Sequence, residues 1–423
     1  MNLQVGGQIS RNSAVLALIV ALALGAFAAP TLAETVTIDY TVWGNASNEA
    51  AIIAAFEAAH PNIKVNAISG GGIDDYIDRL HVMSVSNTLP DVFGLNVQNA
   101  ERFYQMNVAL PLDPLVERDG VDLDACIPGC FAYARHNGVL YGFPRATRGA
   151  PYGAQVVAHN RDLLSQAGLA FPTNDWTFDD LREMAKKLTR RTGDGTATQW
   201  GMILPTINQW WAWVWSGGGE IMTDDNKGLR LTEDAAIDGL DFIRDLRFDQ
   251  EVMPPPGVSA NFSDGNVGFS HVSAFFTGPP DKNFDWSLTG FPRGPLSDAG
   301  YSRGGSNVVV ISRNSDKQEA AWTFLKYLIS EEAQRIEVFE EGNANPVLLS
   351  IALSSEYIER SEPPWDYRPV LEAKWKPAPM LPEFPEIDRV IQAGVRRIWN
   401  GNESTRLVIE EIMPQAVAPL AGR

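Results

Sequence analysis

From Thr35 to Trp43 apolar and polar positions alternate, with Val36, Ile38, Tyr40 and Val42 on one face and Thr35, Thr37, Asp39 and Thr41 on the other. A period of two predicts a half-buried strand. Ile52, Ile53 and Phe56 then fall at helical spacing, and Pro61 ends that helix. A short strand at Ile63 and Val65, the Gly70-Gly71-Gly72 loop, a helix carrying Tyr76, Ile77, Leu80 and Met83, and a strand at Val92-Phe93 follow. Strand, helix, strand, helix, strand is the rhythm of an α/β domain with a parallel sheet.

The helix after Trp176 is specified locally. Thr177 and Asp180 can form a shortened capping box, Trp176 and Leu181 sit where a staple would pack, and Phe178, Leu181, Ala185 and Leu188 form one stripe. A second capped start is expected at Ser315 with Gln318, burying Ala321, Phe324, Leu325 and Leu328; Glu331 and Glu332 begin another helix after Ser330, where negative charge suits the dipole. Pro and Gly concentrate from Pro254 to Pro295 and from Pro363 to Pro385, but apolar and aromatic residues continue through both. The simplest organisation is two lobes, each using discontinuous parts of the chain.

The first 33 positions do not belong to this pattern. Arg11, the apolar run Ala14 to Ala29 and Pro30-Thr31-Leu32-Ala33 read as the three parts of a cleaved secretory signal ending near Ala33. The run is shorter than the roughly 20 residues needed to span a bilayer. Glu34 rather than Cys follows the site, which argues against a lipid anchor. The 423 residues carry a formal net charge of −18 without a Lys/Arg cluster, a balance that repels nucleic acid. Cys126 and Cys130 bracket Ile-Pro-Gly; in an exported chain a disulfide across that turn is the expected reading, whereas a metal site would need more ligands than two thiols. No metal and no cofactor is expected.

The stretch Leu140 to Leu188 carries a resemblance. A strand ending in Gly142-Phe143-Pro144, a polar gap, an apolar run closed by His159-Asn160-Arg161-Asp162, a helix stopped by Gly168, a Pro172 turn and a helix opened by Trp176-Thr177 follow in order. Matching pieces run on either side: FEAAHPNIKV from Phe56, LPDVFGLN from Leu89, WVWSGGGEI from Trp213, GFPRGP from Gly290, GGSNVVVIS from Gly304, the Lys317 to Ala333 helices and Asn345-Pro346. FSDGNVGF from Phe262 departs from the pattern at Asn266 and Gly268-Phe269. In this order the chain resembles the extracellular solute-binding proteins of ABC importers, the carbohydrate-binding, maltose-binding-protein-like family 1.

The resemblance implies an α/β, two-lobed periplasmic-binding-protein fold of type II. Each lobe would hold a central, mostly parallel sheet flanked by helices, with the ligand cleft between them. Residues 34–144 with 304–348 would form the first lobe, and 145–303 with 349–423 the second. It implies a monomeric periplasmic protein that captures a sugar or oligosaccharide and delivers it to membrane permease subunits, and no enzyme.

Ligands of open α/β sheets sit beyond the carboxyl ends of the strands. That rule nominates Trp43, Asn45, Asn96 and Gln98, and from the crossover Arg145, Arg148 and Tyr152. The resemblance adds Trp210, Trp211 and Trp213, the segment with His271, Ser273 and Phe275, and Gly304 and Gly305. Four of the 12 tryptophans lie between Trp210 and Trp215. A pyranose offers apolar C–H faces to an indole and hydroxyls to polar side chains. One aromatic side chain buries about 150–250 Å², which at about 25 cal/mol per Å² is several kcal/mol. Micromolar binding needs about 8 kcal/mol, so one or two stacked rings with hydrogen bonds suffice.

Four tryptophans in so short a helix cannot all face one cleft, so one or two are expected at a ligand and the rest in packing; Trp286 and Trp322 are expected to pack, and His271 reads first as a hydrogen-bonded structural histidine. Two arginines in the cleft would suit glycerol 3-phosphate or another acidic solute, which leaves the ligand's charge open. A secreted carbohydrate-active enzyme is the rival class; no Gly-x-Ser-x-Gly elbow, His-Glu-x-x-His or phosphate loop is present.

Overall fold

The structure is a computed structural model that describes Met1 and residues 34–127, 129–145, 155–204, 210–273, 283–341, 345–359 and 371–421. The leader, Arg148, Tyr152 and Phe275 lie outside the described residues, as does the side chain of Ser273.

Two five-stranded sheets organise the chain. The first is built from β1 (Val36–Val42), β2 (Ile63–Ser69), β3 (Val92–Leu95), β6 (Gly142–Pro144) and β13 (Val308–Ile311), in the order β2-β1-β3-β13-β6; a small hairpin, β4 (Arg135–His136) with β5 (Val139–Leu140), stands beside it. β1 runs parallel to β2, with Val36 opposite Ile63, and to β3, with Tyr40 opposite Val92; β13 is antiparallel to both its neighbours. The alternation read from the sequence is realised, since Ile38, Tyr40 and Val42 are buried. Helices α1 (Ala50–Ala59) and α2 (Ile73–Ser86) connect the parallel strands.

The second sheet has the order β11-β7-β10-β9-β8, from β7 (Gln155–Asn160), β8 (Arg190–Arg191), β9 (Ala197–Ile203), β10 (Val267–Ser273) and β11 (Trp286–Thr289). Only β9 and β10 pair in parallel. The expected mostly parallel sheet is therefore corrected to a mixed one in this lobe. The reason is β7, which lies antiparallel to both of its neighbours, β10 and β11, and so confines the parallel pairing to β9 and β10. The helix expected after Trp176 is α3 (Phe178–Leu188), with the Thr177–Asp180 capping box formed and Phe178, Leu181, Ala185 and Leu188 all buried. Helices α4 (Trp210–Gly217) and α5 (Asp234–Arg244) complete the lobe's interior packing.

The Ser315 cap is not formed. Helix α6 (Gln318–Leu328) starts with Lys317 at its cap, because the Ser315 hydroxyl donates to Asp91 at 2.6 Å and accepts the Lys317 N–H. The long C-terminal helices α7 (Phe384–Gly401) and α8 (Thr405–Val417) pack on the second lobe's core. Two short strands, β12 (Tyr301–Arg303) and β14 (Lys374–Lys376), pair in parallel at the waist. A third core joins Cys126, Ile127, Val347 and Leu348 to Val156, Val272 and Leu288 of the second sheet. Among the described residues no helix is long and apolar enough to cross a membrane.

Candidate ligand cleft

Trp43 follows β1 and is half-buried. Its ring lies over Gly94, where a side-chain Cβ would come within 3.3 Å of it, and meets Tyr76 edge-on at 6.0 Å. The Tyr76 hydroxyl is itself fixed between strands, 3.1 Å from the Thr41 carbonyl and 2.8 Å from that of Gly94. Arg145, at the end of β6, places its guanidinium 5.5 Å from the Trp43 ring and pairs with Glu49. Trp43 and Arg145 are thus brought together, and Arg145 has a counterion in Glu49. Glu337 approaches the same cluster, and burial together with the Glu49 charge holds its carboxyl well above the usual range.

The other first-lobe candidates are tied to local structure. Asn45 is exposed and caps the turn that follows, accepting from the Ser47 N–H at 3.1 Å. Asn96 donates to Gln98 at 2.9 Å and accepts from Asn99. Gln98 is the one whose side chain reaches the inter-lobe cavity.

On the second lobe, the tryptophans of α4 differ in their surroundings. Trp210 and Trp213 have no exposed surface, so neither can face a ligand. Trp213 donates through Nε1 to His271 Nδ1 at 3.3 Å; His271 is fully buried, and burial lowers its pKa to about 3, which keeps it neutral. Trp213 and His271 are core, not cleft. Trp211 lines a small cavity with Phe384, whose ring it meets edge-to-face at 5.3 Å, and carries the Arg303 guanidinium 4.3 Å above its ring. Asp388 Oδ1 accepts from both Trp210 Nε1 at 2.9 Å and Trp211 Nε1 at 3.1 Å. Val97, Gln98 and Tyr133 close the cavity from the first lobe, leaving about 50 Å³.

Gly304 and Gly305 do not face this cavity. A Cβ on Gly304 would come within 2.3 Å of Trp375, and one on Gly305, whose φ is +150°, within 1.9 Å of Tyr133. They are the places where a crossing strand passes under two aromatic rings. The disulfide expectation is also corrected: Cys126 and Cys130 are buried free thiols in contact with each other. Backbone hydrogen bonds from Cys130 to Ile127 and from Ile127 to Val347 already hold the turn, so it needs no covalent closure. Among the described residues, no group of three or more His, Cys, Asp or Glu could hold a metal ion.

Sequence reasoning missed Arg303, Phe384 and Asp388. Phe384 and Asp388 lie on a strongly amphipathic helix whose pattern reads as packing, and nothing local marks Asp388 as an acceptor for residues 177 and 178 positions away.

Two α/β lobes joined by short crossing segments, with aromatic and polar side chains facing each other between them, make up the two-lobed architecture of a solute-binding protein. The chain belongs to the bacterial extracellular solute-binding protein family, whose model matches residues 44–335. That membership places it among exported proteins. An arabinooligosaccharide-binding protein of Bacillus subtilis is 22% identical over 331 residues, covering 74% of this chain and 68% of the relative. The sugar-binding protein MalE from Xanthomonas citri superposes with a TM-score of 0.76 at 20% identity, over 92% of this chain and 98% of its own. The cyclic alpha-maltosyl-1,6-maltose binding protein from Arthrobacter globiformis superposes with a TM-score of 0.73 at 18% identity, over 92% and 100%.

Proposed function

We propose that the protein is the substrate-binding component of an ABC sugar importer, a periplasmic monomer whose leader is removed near Ala33. Residues 34–144 with 304–348 act as one lobe, and 145–303 with 349–423 as the other. A sugar or oligosaccharide enters between them, and the lobes close because the ligand contacts both and so favours the closed state by its differential affinity. The closed form then docks on the membrane permease subunits. The observation that carries the reading is Trp211, an indole at the boundary of the two lobes, positioned by Asp388 and facing Gln98, Phe384 and Tyr133. An aromatic face beside hydrogen-bonding groups is what a pyranose requires. The carbohydrate ligands in the names of the relatives support the same class.

Arg145 is neutralised by Glu49 and offers no free charge to an anion. Arg303 makes no ion pair among the described residues, and it is the group an acidic sugar or glycerol 3-phosphate would use. Isothermal titration against monosaccharides, arabino- and malto-oligosaccharides and glycerol 3-phosphate tests both readings. Binding of a neutral sugar supports the first and binding of glycerol 3-phosphate alone the second. Turnover of any member would make the protein an enzyme and overturn both.

A further inference from the structure

A separate cavity opens on the second sheet and the helices packed against it. It holds about 320 Å³, within the about 300–1,000 Å³ of ordinary small-molecule sites. Its walls are the end of β9 (Ile203 and Leu204), Arg247 just beyond α5, the loop from Pro254 to Ala260, and Asn400 near the end of α7. No residue of the first sheet lines it. Phe384, beside Trp211, and Asn400 stand at opposite ends of α7, which at 1.5 Å per residue puts them roughly 24 Å apart. Arg247 is the one charged side chain on these walls among the described residues, although the chain carries 52 acidic residues against 34 basic ones. The half-buried guanidinium has no carboxylate beside it, and burial lowers its pKa. It is held by Nη1 alone, which donates to the Trp399 carbonyl at 2.6 Å and to Asn400 Oδ1. Its buried Nε has no partner among the described residues.

We propose that this cavity is a second ligand site, for a small organic carboxylate whose charged end meets Arg247 and whose apolar body lies against Leu204, Pro254 and Val258. The site stands apart from the sugar reading and does not depend on it. A partly desolvated cation without a counterion is costly, and an anion brought beside it offsets that cost. The planar guanidinium suits a carboxylate in particular, because it can donate two parallel hydrogen bonds. The remaining walls are apolar apart from Ser259 and Asn400, which is the usual make-up of a site for a molecule with a hydrocarbon part. A bare inorganic anion would leave those walls uncovered.

Calorimetric titration of the mature chain with hexanoate, benzoate and phenylacetate, each beside its neutral amide, and with inorganic phosphate tests the proposal. At least one carboxylate is expected to bind saturably, about tenfold or more tighter than its amide and than phosphate. Arg247→Met keeps the apolar stem and should erase the preference for carboxylate over amide. Because that change also removes a bond to the end of α7, a second variant is needed that leaves Arg247 alone. Val258 is 51% exposed at the rim, so Val258→Trp can fill the cavity without disturbing the core. It should weaken the carboxylate about tenfold or more and leave Tm at the wild-type value. Equal affinity for carboxylate and amide, phosphate binding as tight as any carboxylate, or full affinity in Val258→Trp overturns the site. Silence of all three carboxylates also overturns it, and Arg247 then serves only to cap α7. Each of these results leaves the sugar-binding reading intact.

Discussion

Arg145 and Glu49 form an ion pair in which both side chains are nearly inaccessible, 8% and 7% exposed. A buried pair is weak evidence for net stability, but removing one partner leaves an uncompensated charge. Burial and the Glu49 charge hold the nearby Glu337 carboxyl well above its usual range, so it belongs to the same charge cluster. Glu49→Ala in a Glu337→Gln background is therefore expected to cost about 3–5 kcal/mol. Combining Glu49→Leu with Arg145→Met in the same background removes both charges at once and should recover most of it. Urea unfolding reads both, and a loss below about 1 kcal/mol for the first variant would show that water reaches the guanidinium.

Gly305 and Tyr133 are in a comparable relationship at the waist. The Tyr133 hydroxyl accepts the Ala378 N–H at 2.8 Å, so the ring ties the crossing strand to the second lobe. Gly305→Ala would drive a methyl group into that ring at a backbone angle side chains rarely adopt, for an expected loss of about 2–5 kcal/mol. In a double-mutant cycle with Tyr133→Ala the losses should fall short of additivity by about 1 kcal/mol or more. Strict additivity would mean that the strand, not the ring, yields.

These two pairs also show where sequence reasoning stops. The strands, the helix stripes and the Thr177–Asp180 cap were legible because each depends on residues within one element. The mixed second sheet was not, because strand direction depends on pairing between distant segments that no single element's pattern encodes. The candidate cleft residues were marked in the sequence only by position. Trp43, Gln98 and Trp211 stand at strand ends or in a conspicuous cluster. The choice of Trp211 over Trp210 and Trp213 depends on Asp388 and His271, which no local pattern connects to them.

The second lobe should lose stability in mild acid. His159 and His271 are buried, and burial lowers both pKa values from 6.5 to about 3. A histidine with a depressed folded pKa contributes fully above its unfolded value; as pH falls below about 6.5, the unfolded chain takes up a proton that the folded one refuses. Each unit of pH below that value costs about 1.4 kcal/mol per histidine. At pH 5 the wild type is expected to be about 3–4 kcal/mol less stable than at pH 7.5 from these two groups. His271→Gln should remove about half of that slope in urea titrations at the two pH values; an unchanged slope would place the acid sensitivity elsewhere.

Cys126 and Cys130 are 3% and 1% exposed, and burial raises the Cys130 thiol well above its ordinary pKa. Thiolate is the reactive form. Iodoacetamide at pH 8 is expected to leave the folded protein unlabelled and to label two cysteines per chain after unfolding in guanidinium. Two labels require reduction first if the pair is bridged, so mass spectrometry without a reductant separates the cases.

Asp388 makes the most direct prediction about the cleft. One carboxylate oxygen receives both indole N–H groups, and Gln392 donates to the other oxygen at 2.8 Å, so the carboxylate is fixed on both sides. Asp388→Ala leaves two indole donors without their partner, at an expected cost of about 1–3 kcal/mol each. The two tryptophans should report the loss differently. Trp210 is sealed in the core, so its share appears in the unfolding free energy. Trp211 faces the other lobe, so its share appears as weaker binding of whichever sugar in the titration panel the wild type retains. Asp388→Asn keeps an oxygen acceptor and should stay near wild type in both measurements, which distinguishes hydrogen bonding from bulk. If Asp388→Ala lowers stability but leaves sugar affinity unchanged, Trp211 is packing like its neighbours, and the stacking surface must be sought at Trp43 instead.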